Sequence, residues 1–240
     1  MIEKITDIKQ LSSFKKNDLY YVRIMSLIKA YSCGYDFASF YRQLDEKNQV
    51  TAILSKLDTD FTLSFYDNAD KEELSEFFSV IGYSSVLSDS SFDFTASYDE
   101  GIVMSCDKRI ETQCPYVDID RYPKLMELFN FVDYDTLSFE SWYVDISHRI
   151  RHGCASACTL NINGEIISSG IFSSIYNNDA ILSAVRTSSE FRHMGYGSYL
   201  VSQMLSDIKG RVFLMREKNL NEQFYIRLGF ENIGKWRMYK

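Results

Sequence analysis

The run Ile181–Ser198, ILSAVRTSSEFRHMGYGS, constrains the chain more than any other. It reads as an apolar strand, a polar turn, the sextet Arg192-His193-Met194-Gly195-Tyr196-Gly197, and the start of an amphipathic helix. Backbone N–H groups at a helix start have no partner inside the helix, and the helix dipole is positive there. Glycine removes the Cβ that would keep the backbone away from an anion. A strand feeding such a loop is therefore expected to hold a phosphate-like group.

The charge pattern agrees. The chain is net −7, which argues against nucleic acid as the main partner. Residues 181–240 carry ten Lys/Arg against five Asp/Glu, whereas the first 180 carry 16 against 28. The basic part coincides with the expected anion loop.

With 240 residues, the chain is long for one compact domain and comfortable for two small ones. Only two prolines are present, Pro115 and Pro123, and they stand between two periodic halves. This spacing predicts a boundary near Cys114–Asp120, with domains at 1–115 and 116–240. The opening MIEKITDIKQ has no apolar signal core, and no apolar run approaches the ~20 residues that span a bilayer. Five cysteines are spaced neither as a disulfide framework nor as a metal site. A cytoplasmic protein with reduced thiols, no metal and no membrane partner is the expectation.

Hydrophobic periodicity gives the elements. In the first half it predicts a weak helix over 4–16, a helix over 18–31, an antiparallel meander over 37–44, 50–57 and 61–66, a helix over 70–81, and strands at 85–87 and 102–106. Asp70 is the expected N-cap of the helix over 70–81. The second half restarts with helices over 123–131 and 139–151. A meander follows over 154–162, 165–176 and 179–187, turning at Asn163-Gly164. A helix over 195–208, a strand over 212–215, a helix over 221–228 and a strand over 232–239 close the chain. The fold class is α+β, a mixed arrangement whose central sheet is mostly antiparallel and flanked by helices, with a smaller N-terminal α/β domain.

Two motifs in this order resemble those of the GNAT (GCN5-related N-acetyltransferase) superfamily. Arg192-His193-Met194-Gly195-Tyr196-Gly197 is similar to its acyl-CoA loop, R/Q-x-x-G-x-G/A. Phe224-Tyr225-Ile226-Arg227-Leu228-Gly229-Phe230 is similar to its terminal F/L-Y-x-x-x-G-F signature. The resemblance covers about residues 120–240, and the first half resembles a degenerate copy of the fold in outline only.

The resemblance implies an acetyl-CoA-dependent N-acetyltransferase acting directly on a primary amine of a small molecule, as a monomer or homodimer. It assigns the pantetheine and thioester to the backbone of Val185, Arg186 and Thr187, where a held carbonyl is polarised. It assigns the diphosphate to His193, Met194, Gly195, Tyr196, Gly197 and Ser198, with a charge-assisted contact from Arg192. Tyr225 would protonate the departing thiolate. Asn221, or Asn219 nearby, would touch the pantetheine arm. No general base stands out. Glu190 and Glu165 are placed poorly for it. The basic run Ser147–Gly153, SHRIRHG, with His148, Arg149, Arg151 and His152, suggests an anionic acceptor such as an amino acid, or else a solvated helix end. The competing reading is a non-catalytic acetyl-CoA sensor or interaction module. A P-loop is disfavoured because no Lys-Ser/Thr follows the glycines.

Overall fold

The computed structural model describes residues 1–113, 117–134 and 137–240. The chain divides into two compact units. The first comprises Met1–Val103, Met215–Lys218 and Ile233–Lys240, and the second comprises Met104–Leu214 and Asn219–Asn232. The division thus falls earlier than the proline spacing suggested, and the last strand returns to the first unit. Proline reports a local chain break and carries no information about which strands pair. Cys114 and Pro115 lie outside the described residues.

The first unit contains β1 (Ile2–Lys4), α1 (Leu19–Tyr31), β2 (Ala38–Leu44), β3 (Val50–Leu57), β4 (Asp60–Phe65), α2 (Lys71–Ile81), β5 (Ser85–Asp89) and most of β6 (Tyr98–Cys106). In place of the helix expected over 4–16 there is a strand and one 3-10 turn, Ile8–Leu11. Asp7 and Gln10 cap the start of that turn reciprocally, Asp7 Oδ1 accepting from Lys9 N and Gln10 Oε1 from Asp7 N. The strands β1 to β5 follow one another in the sheet. All neighbours are antiparallel except β4 and β5, which pair in parallel over Asp60↔Ser85 to Thr62↔Leu87. Leu54, Phe61, Phe65, Phe78 and Phe92 fill the core.

The second unit contains β7 (Asp118–Asp120), α3 (Leu125–Val132), α4 (Phe139–Arg151), β8 (Ser156–Ile162), β9 (Glu165–Tyr176), β10 (Asp179–Thr187) and α5 (Tyr196–Asp207). It also holds the first half of β11 (Val212–Glu217), and α6 (Glu222–Arg227); the closing strand is β12 (Glu231–Tyr239). Its strands lie in the order β7-β8-β9-β10-β11, the order of β1 to β5. The hairpin between β8 and β9 turns on Asn163 and Gly164, both at positive φ, as a type I′ turn requires. On one face, α3 and α4 lay Leu128, Trp142 and Ile146 on Ala157 and Ile171. On the other face lies α5. There Gly170 permits close approach, because a Cβ on it would stand 2.6 Å from Met204 Sδ. The architecture is the mostly antiparallel α+β sheet with flanking helices that the periodicity predicts. No helix among the described residues is long and apolar enough to cross a membrane.

Candidate acyl-CoA site

The site begins where two strands part. β10 pairs in parallel with β11 only over Ala180↔Val212 to Leu182↔Leu214, yet β10 runs on to Thr187. A bulge at Ala184-Val185 shifts the register against β9, and Ala184 takes φ 51°. Ala184 O accepts from Ser169 Oγ at 3.2 Å, and Arg186 O accepts from Ser168 Oγ at 3.0 Å. Both carbonyls therefore face β9. The N–H and C=O of one trans peptide point opposite ways, so the amides of Val185 and Thr187 face the open edge. Alternation along the ladder turns the Arg186 amide toward β9 instead. Of the three backbone groups expected to hold a thioester, two are thus presented and the one of Arg186 is not.

The strand end is tied to the loop that follows. Arg192 Nε donates to Thr187 O at 3.1 Å, and Thr187 Oγ1 lies 2.9 Å from Ser168 Oγ. His193 and Gly195 both take positive φ, 64° and 89°, which curls the loop beneath the first turn of α5. Gly195 supplies the N-cap without any side-chain cap, and no acid occupies that first turn. The helix therefore starts with its amides uncovered by carboxylate, the arrangement an anion needs.

The second wall is α6. Tyr225 packs edge-on against Phe224 at 4.9 Å and Phe230 at 5.6 Å between ring centroids. Burial pushes its phenol up to about 12. Asn221 precedes the helix in the left-handed region, φ 56°. These walls enclose a cleft of about 870 Å³ within the second unit.

All the expected site residues line that cleft except Met194, whose side chain points to solvent at 62% exposure. Four further residues line it: Phe191, Gln223, Phe224 and Arg227. Gln223 and Arg227 flank Tyr225 one turn apart, so the helical repeat could have found them. Asn219, Glu165 and Glu190 are exposed and do not line it.

The basic run at the end of α4 is not part of the cleft lining either. Arg149 donates to Ser173 O at 2.7 Å and pairs with Asp145 one turn earlier. The rings of His148 and His152 lie 4.1 Å apart. Arg149 is thus spent on structure.

Residues 120–230 match the model of the acetyltransferase (GNAT) family. The fold is GNAT-like. Among solved structures, a Drosophila protein aligns with TM-score 0.68 at 11% identity, over 100% of this chain and 98% of that one. A GCN5-related N-acetyltransferase from Kribbella flavida aligns with TM-score 0.61 at 11% identity, over 91% and 92%. A tandem GNAT protein from the clavulanic acid biosynthesis pathway aligns with TM-score 0.59 at 9% identity, over 100% and 97%. No curated protein matches the sequence. Within this fold, β10 departs from a regular strand at the bulge that places Ala184 at positive φ. Alanine has no left-handed preference, so the sequence held no signal for the bulge.

Proposed function

We propose that the chain is an acetyl-CoA-dependent N-acetyltransferase that acylates a primary amine of a small molecule. The observation that carries this reading is the parting of β10 from β11 after Leu182, beside the uncapped start of α5 and facing Tyr225. In this reading the pantetheine arm lies along the open edge of β10. Val185 and Thr187 amides orient it and polarise the thioester carbonyl. Gly195 to Ser198 hold the diphosphate on their N–H groups, and Arg192 adds charge.

The neutral amine attacks the thioester carbon, and the C–S bond breaks as the tetrahedral oxyanion collapses. Tyr225 stands ready to donate to the leaving sulfur. Its phenol at about 12 is far weaker as an acid than a thiol near 8.5. Complete transfer would run uphill by about 5 kcal/mol. Its role is therefore a hydrogen bond that strengthens as charge builds on sulfur, and the ammonium proton finally balances the thiolate.

In the same reading the first unit is a copy of this topology that has lost its ligand loop. Its support is the shared strand order and the three-pair parallel contact of β4 with β5.

Isothermal titration with acetyl-CoA, followed by a thiol-release screen over amines, tests the proposal. Binding with amine-dependent thiol release is the expected result. Binding without release on any amine favours the sensor reading, and absence of binding removes both.

A further inference from the structure

Arg186 does something its neighbours on the cleft wall do not. Its cross-strand partner is Ser169, so its side chain shares the sheet face of Ser169 and Ile171, the one covered by α3 and α4. Arg192 and the glycine loop belong to the start of α5, on the opposite face. The Arg186 guanidinium donates to Val132 O at 2.5 Å, at the end of α3. Asp133 Oδ2 lies 3.7 Å away, beyond hydrogen-bond range. The Arg186 side chain remains 40% exposed, and the residue lines the cleft.

A guanidinium has five N–H donors in a fixed fork. Among the described residues, one is taken by Val132 O, and Asp133 offsets charge without satisfying another. The side chain comes from the residue lying between the two amides assigned to the thioester. We propose that Arg186 is the specificity-determining cation of the acceptor side and selects an amine that also carries a carboxylate, such as a small amino acid. This rests on the acyltransferase reading, because acyl-CoA held by the loop and α6 leaves the α3 face of β10 for the acceptor. A carboxylate there can bind the fork in two-point fashion. Val132 O keeps the guanidinium from swinging away, and Asp133 competes with the acceptor for it.

The test uses three pairs of probes, N-acetylglycine, N-acetylalanine and N-acetylserine against their carboxamides, titrated calorimetrically onto CoA-saturated protein. Each carboxylate is expected to bind about ten-fold tighter than its amide or better. Arg186→Gln should collapse that ratio to within two-fold, while Arg186→Lys keeps part of it. Asp133→Asn, which leaves the guanidinium in place, should widen it. Circular dichroism checks that each variant folds. A ratio near one in the unaltered protein, or no detectable binding of either probe, overturns the proposal. So does an Arg186→Gln protein that keeps the full ratio. Failure to bind CoA would instead remove the acyltransferase reading, and the ratio measured on CoA-free protein would still judge Arg186.

Discussion

The hydroxyl of Thr187 stands 2.9 Å from the point where a Cβ on Gly197 would be. The ring of Phe224 lies 3.6 Å from that same point. The second glycine of the loop is therefore demanded by the strand end and α6 as well as by any phosphate. Gly197→Val should push Thr187 and Phe224 apart and reduce acetyl-CoA affinity by about ten-fold or more, at a stability cost of about 1–3 kcal/mol. Thr187→Ala in that background should recover part of the affinity, since it removes the nearer clash. Calorimetric titration of both proteins decides this. Unaltered affinity in Gly197→Val would show that the loop does not bind the nucleotide.

Tyr225 should be separable from cofactor binding. Tyr225→Phe keeps the ring contacts with Phe224 and Phe230 and removes only the hydroxyl. We expect kcat to fall about 100-fold, with KM for acetyl-CoA within two-fold. The pH profile gives a second reading. A donor raised to about 12 stays protonated throughout the range below it, so this group should impose no alkaline limb on kcat up to pH 10. Its sign also bears on stability. The folded state holds the proton more tightly than an ordinary tyrosine near 10, so the contribution is complete below pH 10 and lost as pH rises through about 12. An alkaline limb near 9 that vanishes in Tyr225→Phe would contradict the burial.

What could be read beforehand was local. Gly195, Gly197 and the apolar repeat through Leu200, Met204 and Leu205 specify a loop and a helix within a few residues, and these formed where expected. The strand β7 is three residues long, Asp118–Asp120, and two of the three are aspartates, a type depleted in strands. It exists because β8 offers it an edge. The bulge at Ala184 is likewise a product of pairing with β9. The loss of Arg149 to Ser173 depends on a contact 24 residues away, which no helix-end pattern encodes. Arg186 was expected for its backbone, yet its amide turns toward β9 and its side chain reaches Val132 O, a distinction that only ladder parity makes.

Two glycines without positive φ should differ in cost. A Cβ on Gly101 would meet Arg216 O at 2.3 Å and the Trp236 ring at 2.6 Å. One obstacle is backbone and the other a rigid indole that also donates to Arg216 O at 3.2 Å. At Gly170 the obstacle is the end of Met204, a flexible side chain. Gly101→Ala should cost about 3 kcal/mol and Gly170→Ala about 1 kcal/mol. Thermal unfolding of the two variants side by side measures the order. A larger loss at Gly170 would mean that α5 cannot yield, and that the packing of β9 on α5 is as rigid as the indole contact.

The last prediction concerns stoichiometry. Both units feed a strand into a helix beside a short parallel contact, yet the two helix starts carry opposite chemistry. At α5 the N-cap is Gly195, with no side-chain cap and no acid in the first turn. At α2 the Asp70 carboxylate accepts the Glu73 amide at 3.0 Å, and Glu72 and Glu73 fill the first turn. The Asp70 amide is itself taken by Gln43 Oε1 at 3.0 Å. Carboxylates at a helix start satisfy its dipole and its orphan donors, and they repel a second anion. A diphosphate has no place there. Acetyl-CoA should therefore bind at one equivalent per chain, and Arg192→Glu in the second unit should abolish binding altogether. A stoichiometry near two, or an Arg192→Glu protein that still binds one equivalent, would place a nucleotide on the first unit despite its acids.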